Sequence, residues 1–458
     1  MITNSLYEIV TQSRLATSDG DTEKTVAGRV VMVEESAGQV VRVIIQDGSG
    51  PSLLTRLGMV FASPSAAPTG PASAVPMVSP GDYLLASGRL SEAAPPPELV
   101  VREWKILHRS TVPLQDPSPR GAAGSGRNLA RVRDLLLNPG SRSLLTARNR
   151  VIVSVRRMLQ ELGYAEFDTP ILQFAGEPEQ RIEARGDLVS FTQQVCLRTN
   201  PTCMKNLLAA GFDAIFEFAR TFRDEPVDST HVPEYSLVEI YRAYASYESM
   251  RDLARELVIG AAQATSGGTV IRDQHGQPVD LAEPWRWVTL HDVVAEHLNS
   301  EVTPETGLCR LLAAAERHSV GTLIGASAGE VVLALYETLV EPILTTPTFV
   351  ADFPTCVSPL AAERRGSPGL VQKWDLVICG REVATSYTEL VDPAELIHRR
   401  EEYPMVPELH AVHDDLIALH ELGVPPCGGL AVGLERLIMT LTGATDIHMV
   451  IPFAASAR

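Results

Sequence analysis

The stretch from Phe222 to Tyr241, FRDEPVDSTHVPEYSLVEIY, limits what this chain can fold into more than any other. Its second half alternates polar and apolar residues from Glu234 to Tyr241, the period of a half-buried strand. Its first half crowds Arg223, Asp224, Glu225, Asp228 and His231 into a short polar segment, so the whole reads as two antiparallel strands joined by a charged loop. An arginine at the end of the first strand presents a planar fork of donors suited to phosphate or carboxylate. Glu225 and Glu239 are placed to hold cationic groups nearby. A solvated hairpin laced with surface ion pairs would share these features, and a second block near the C-terminus decides between the two readings.

At 458 residues the chain has room for two or three domains, each with its own core. Its apolar runs fall short of the roughly 18 residues a membrane span needs, and MITNSLYEIVTQSR opens without a basic-then-apolar leader. The expectation is a soluble, cytoplasmic protein with no membrane partner. Cys196, Cys203, Cys309, Cys356, Cys379 and Cys427 form no CxxC pair, so neither a zinc site nor a disulfide framework is indicated. A net charge of −17 argues against coating nucleic acid through a general basic surface, while leaving room for docking one RNA on a local basic patch.

In chain order, residues 1–24 are polar and read as a mobile N-terminus. From Thr25 to about His108, short β-branched segments separated by turn signals predict a small β-barrel, interrupted by a loop excursion from Ala62 to Pro76. The barrel domain is bounded at 25–115 and followed by a linker at 116–128, DPSPRGAAGSGR and its neighbour. The remainder, 129–458, opens with LLTARNRVIVSVRRMLQELGY, helical in period and stopping at Gly163, and FDTPIL then reads as a strand broken by Pro170. Amphipathic helices follow at MRDLARELVIGAAQ, at Glu305 to His318 and at GEVVLALYETLVEPIL, with a hairpin signal at His275-Gly276. Histidines other than His231 are read as surface or packing residues, since none has metal-site spacing.

WDLVICGREVATSYTELVDPAE, Trp374 to Glu395, places Asp375 and Glu382 on a strand, turn and strand where they can share a divalent ion. GVPPCGGLAVGLERLIMTLTGATDI, Gly423 to Ile447, is a glycine-rich strand running into an amphipathic helix that opens Leu-Glu-Arg. With LRTNPTCMKNLLAAGFDAIFEFARTFRDEP and the hairpin, these blocks resemble class II lysyl-tRNA synthetases from about residue 25 to the end. The resemblance is strongest over 211–247 and 374–447.

The resemblance implies an α+β fold: an N-terminal OB-fold barrel, then a class II catalytic domain with an antiparallel sheet flanked by helices. It implies that Arg223 grips the α-phosphate and the amino-acid carboxylate, Glu225 and His231 lie by the nucleotide, and Tyr235 stacks on adenine. Arg436 would reach the γ-phosphate, with Gly429 and Gly433 letting the backbone lie close under the base. Asp375 and Glu382 would hold Mg²⁺ between ATP phosphates. Glu239, Tyr241 and Glu389 would meet the ε-ammonium of lysine, with Gly176, Thr385 and Tyr387 completing the amino-acid site. Arg242 is the alternative partner for Glu239. Partners implied are ATP, lysine or a lysine-like diamino acid, and tRNA, in a homodimer built on the helix that stops at Gly163 and the extended segment with Pro170 after it.

Departures from the family pattern gather at one end of the pocket. Pro201-Thr202-Cys203-Met204 replaces Pro-Glu-Leu-Tyr, Thr385 replaces Asn, and AGEP from Ala175 to Pro178 replaces a Gly-Gly-Ala run. Asp375 stands for Glu and Tyr387 for Phe. In the barrel, Arg42 stands where an anticodon-stacking aromatic is expected. The sequence therefore predicts lysine–tRNA ligase activity. The altered α-amino end motivates one rival, a paralogue that activates an analogue such as β-lysine for a biosynthetic pathway. The other rival is a catalytically silent tRNA-binding protein.

Overall fold

The structure is a computed structural model. It describes residues 23–36, 39–47, 55–61, 78–91, 98–111, 125–174, 195–201, 203–321, 323–403 and 414–454. The chain divides into two compact units, Met1–Thr146 and Ala147–Arg458.

In the first unit, β1 (Glu23–Ser36), β2 (Gln39–Asp47), β3 (Thr55–Phe61), β4 (Tyr83–Ser91) and β5 (Glu98–His108) close into a barrel in the order β1-β2-β3-β5-β4. All pairings are antiparallel except β3 with β5, which brings two strands that are not hairpin neighbours together. The alternation seen in the sequence fills the interior: Val26, Val30, Val43, Ile45, Leu57, Met59, Leu84 and Leu99 are fully buried. The loop excursion at 62–76 lies outside the described residues. Arg42 is held by two carboxylates, Glu98 at 2.7 Å and Glu34 at 3.4 Å.

The second unit is organised by an eight-stranded sheet. In chain order its strands and satellites are β6 (Ala165–Glu166), β7 (Leu172–Phe174), β8 (Val195–Leu197), β9 (Ala214–Phe222), β10 (Glu234–Ala243), β11 (Val270–Arg272), β12 (Pro278–Asp280), β13 (Arg286–Thr289), β14 (Thr348–Pro354), β15 (Leu370–Ile378), β16 (Arg381–Thr388) and β17 (Cys427–Gly433). The sheet order is β13-β14-β15-β16-β17-β10-β9-β6. The expected antiparallel sheet holds from β14 to β9, but both edges are parallel additions, β13 on β14 and β6 on β9. FDTPIL is not a strand along its length, because Pro170 has no amide to donate and only Leu172 onward pairs, with β8.

Helices cover the sheet. Tyr247–Ser266 buries Met250, Leu253, Leu257, Val258 and Ala261 and ends at Gly267 in the left-handed region, φ 80°. The long helix Pro139–Glu161 stops before Gly163, φ 84°, as its sequence predicted. The helix begun at Ala328 does not run straight to Pro342. It becomes a π-turn over Tyr336–Val340 and then a 3₁₀ turn over Glu341–Ile343. This break turns Tyr336 inward and sets Glu341 against the backbone of Glu382.

Candidate functional site

β9 and β10 form the predicted hairpin, with Glu234 opposite Phe222 and Glu239 opposite Glu217. Arg223 follows directly on β9, and its amide donates to the Pro233 carbonyl at 3.0 Å, which closes the loop. Within that loop Asp228 accepts from the amides of Thr230 and His231 at 2.6 and 2.8 Å. The Thr230 amide, with the His231 and Thr230 side chains and the His231 amide, holds the Asp228 carboxyl well below the usual range. His231 Nδ1 lies 3.0 Å from Asp228, and His231 Nε2 lies 3.3 Å from Arg436 Nη2. A guanidinium can only donate, so Nε2 accepts and the proton sits on Nδ1.

One cleft is lined by Arg223, Glu225, His231, Tyr235, Glu382, Gly433 and Arg436, while Gly429 and Asp375, also expected by the nucleotide, are not part of its lining. Thr385 and Ala431 line its floor. Arg223 lies 3.4 Å from Glu225, with its guanidinium carbon 5.7 Å from the Tyr235 ring centre. Arg436 lies 3.8 Å from the Glu382 carboxylate. Glu435, one residue before Arg436, is buried and ties the helix Leu434–Thr442 down. It accepts the Ser236 amide at 2.9 Å and meets Arg148 at 2.8 Å.

Sheet register explains why separated carboxylates share a face. Glu217, Glu239, Ala431, Thr385 and Asp375 stand directly opposite one another across β9, β10, β17, β16 and β15. Glu382 has the wrong parity for this face. A bulge at Val383, however, pairs Glu382 with Val377 while Ala384 pairs with Leu376, and this turns Glu382 to the side of Asp375. Burial and the Asp375 charge push the Glu382 carboxyl up, against Arg436. Glu341 is pushed up to about 7 by burial and the Glu382 and Asp375 charges. Asp375 has one oxygen on Lys373 at 3.0 Å and the other buried without a partner among the described residues. An excess of carboxylate with an orphaned oxygen suits a hard divalent cation. Among the described residues no group of three or more His, Cys, Asp or Glu is set to hold a metal alone, so phosphate and water would have to complete the coordination.

Glu239, Tyr241 and Glu389 gather beside the cleft floor rather than in it. Glu239 and Glu389 are 8% and 3% exposed, and the Tyr241 hydroxyl donates to Glu239 at 3.0 Å. Arg242, the alternative partner for Glu239, projects to the other face as strand alternation requires. Burial pushes Glu239 up to about 7, with the Glu389 charge adding to it and Tyr241 and Lys205 opposing. Tyr387 is half-buried at the same row as Tyr241 and Gly429. Gly429 does not share the cleft with Gly433. A Cβ there would lie 2.5 Å from Glu389 Oε1 and 2.9 Å from the Tyr241 ring, so its bareness serves the acidic pocket. Gly176 lies outside the described residues.

The sequence reading missed Lys205, whose ammonium lies 2.5 Å from Glu389. On the page it is one lysine in a short amphipathic helix, with no signal of its own. It also missed Arg198, fully buried, which meets Glu217 at 2.6 Å and the Thr169 hydroxyl at 2.7 Å.

A cleft lined by Arg223 and Arg436, set on a mostly antiparallel sheet and adjoining a buried acidic pocket, accords with a class II synthetase catalytic domain. Residues 126–457 match the family of tRNA synthetases class II (D, K and N), and the chain belongs to that family. Over 448 residues it is 35% identical to the lysylphosphatidylglycerol biosynthesis bifunctional protein LysX of Mycobacterium avium, covering 95% of this chain and 37% of that protein. Proteins of the same name from Mycobacterium marinum and Nocardia farcinica are 36% and 34% identical over 384 residues, 81% of this chain and 35% and 34% of theirs. The chain thus spans just over a third of the length of these curated relatives. No helix among the described residues is long and apolar enough to cross a membrane.

Proposed function

We propose that this chain activates lysine with ATP, forming lysyl-adenylate and pyrophosphate, and passes the lysyl group to the 3′ end of a tRNA as a specialised paralogue of lysyl-tRNA synthetases. The destination is biosynthetic, a lysyl transfer of the kind named for its relatives. One observation carries the reading: Arg223 and Arg436 face a single cleft whose floor, Thr385 and Ala431, abuts the buried carboxylates Glu239 and Glu389.

In the reaction a carboxylate oxygen of the amino acid forms a bond to the α-phosphorus while the bond to the bridging oxygen of pyrophosphate breaks. Two anions must be held together as charge builds on the phosphoryl oxygens, and this is positioning and neutralisation rather than covalent catalysis. Arg223 clamps the α-phosphate and the attacking carboxylate, and Tyr235 stacks on adenine. Arg436, fixed by Glu435 and His231, takes the terminal phosphates. Asp375 and Glu382 would hold Mg²⁺, which supplies charge neutralisation on the phosphates. Glu239, with Glu389 beside it, receives the side-chain ammonium, and an uncharged competitor leaves the pocket's open negative charge unpaired, a difference of several kcal/mol. The barrel, with its β1-β2-β3-β5-β4 closure, supports an OB-fold that docks the tRNA. Pairing of two chains through the long N-terminal helix of the catalytic unit belongs to the same proposal.

The test is pyrophosphate exchange with lysine, β-lysine and ornithine, followed by charging of bulk tRNA and transfer of the lysyl group to phosphatidylglycerol by a separate lysyl transferase. Exchange with α-lysine and charging of tRNA are expected. Exchange confined to β-lysine or ornithine would move the substrate, and no exchange with any diamino acid would sink the reading.

A further inference from the structure

The proposed reaction calls for no lysine of the protein's own in the acidic pocket, yet Lys205 is there. It stands in the first turn of the helix Met204–Ala209, whose Met204 and Leu208 pack with Ile215, Tyr241 and Cys427. Lys205 is itself buried, and its ammonium lies 2.5 Å from Glu389 Oε2, with the two side chains 9% and 1% exposed. The contact is a buried ion pair. Glu389 Oε1, the other oxygen, is buried and has no hydrogen-bond partner among the described residues. A buried acceptor without a donor is costly unless something else fills it.

Resting on the reading above, we propose that Lys205 is a specificity-determining residue. It neutralises one of the pocket's two carboxylates, leaving a single open negative charge and one free acceptor, Glu389 Oε1, for a ligand with one terminal ammonium group. Two bare carboxylates side by side in a dry pocket would instead share a proton. With Lys205 in place, both can be ionised when one ligand cation enters, and the filled pocket is neutral.

The groups facing this pocket come from every element around it. β10 brings Glu239 and Tyr241, β16 and its exit bring Tyr387 and Glu389, and β17 brings Cys427. β9 brings Glu217, already paired with Arg198, and the helix Asp414–Gly423 brings His420. Burial works against the Lys205 charge, but Glu389 outweighs it and the ammonium stays protonated through neutral pH. Burial raises both carboxyls, and Lys205 opposes the rise in each.

Two variants test the proposal: Lys205→Met, close in shape but uncharged, and Lys205→Met with Glu389→Gln, which returns the pocket to one net negative charge. Lysine KM and ATP KM are measured by pyrophosphate exchange from about pH 6.5 to pH 9. A carboxyl that titrates near 7 and is lifted by about one pH unit loses about fivefold of its ionised form at pH 7, so lysine KM in the single variant rises about fivefold there. It converges on the wild-type value toward about pH 9, and ATP KM stays in place. In the double variant the added pH dependence of lysine KM is recovered to the wild-type slope, whatever the loss of Glu389 itself does to the absolute value, because no second carboxyl remains to share a proton. A rise that is the same at every pH and is not recovered by the second substitution would make Lys205 a packing residue. An unchanged lysine KM would leave it no role, with the proposed function intact. A wild-type chain that exchanges with no diamino acid would bring down that function and this inference together.

Discussion

Replacing Gly429 by alanine tests the geometry of the acidic pocket directly. The added methyl would sit 2.5 Å from Glu389 Oε1, 2.9 Å from Tyr241 Cε1 and 3.4 Å from Tyr241 Cδ1, where ordinary contacts begin near about 3.5 Å. Neither neighbour can step aside freely. Glu389 is held by Lys205, and Tyr241 by its hydrogen bond to Glu239, and both are more than nine-tenths buried. Relief of roughly 1 Å in a packed interior costs about 1–3 kcal/mol, which shifts the melting temperature of a unit this large by several degrees. Because the displaced oxygen is the pocket's free acceptor, lysine KM should rise about tenfold to a hundredfold, by the equivalence of about 1.4 kcal/mol to a factor of ten. ATP KM should stay in place. The matched control is Gly433→Ala, whose methyl would meet Val383 O at 3.6 Å and Arg436 Cβ at 3.7 Å, ordinary contact at a backbone φ of −69°. That variant should stay within about 0.5 kcal/mol of wild type in stability. Wild-type lysine KM in Gly429→Ala, or equal losses for lysine and ATP, would refute the placement of the pocket.

Further outcomes follow from the same interactions. Arg436→Met should lower the exchange rate about a hundredfold or more, the usual loss when one donor to the developing charge is removed, with circular dichroism unchanged. Arg198→Met strands Glu217 in the interior and should cost about 3–5 kcal/mol in denaturant unfolding of the Ala147–Arg458 unit, partly recovered by adding Glu217→Gln. Glu239, raised to about 7 from an unfolded value near 4.5, binds more protons folded than unfolded between those values. The native state therefore loses stability as pH rises through that window, and Glu239→Gln should remove up to about 3 kcal/mol of that dependence. Arg42→Ala should change tRNA affinity less than about twofold, because its guanidinium is engaged by Glu34 and Glu98, whereas a large loss would show that those pairs open on binding.

What the sequence made legible was whatever a short window encodes. The alternation over Glu234–Tyr241 is a local property, and so is the arginine at the end of β9 or the Leu-Glu-Arg that opens the helix after β17. These led to the cleft, which Arg223, Glu225, His231, Tyr235, Glu382, Gly433 and Arg436 line, while Gly429 and Asp375 are not part of its lining. Features set by pairing between distant strands stayed hidden. Glu382 faces Asp375 only because Val383 bulges, and one inserted residue in a ladder leaves no compositional trace. Lys205 meets Glu389 across 184 positions of chain. The parallel edges β6 and β13 are short strands whose pairing follows from the fold around them. The π-turn at Tyr336 breaks a segment whose period is helical throughout, because packing there outweighs propensity.

Arg148 reaches three segments that the chain synthesises far apart: the Ser236 hydroxyl, the Glu435 carboxylate and the Val450 carbonyl. In the unfolded chain water hydrates this guanidinium, and its burial is favourable only once all three acceptors replace that water. The bracket beside Arg436 therefore needs residues 148, 236, 435 and 450 together. A chain cut before Val450 should then unfold at a lower denaturant concentration than one that reaches past it.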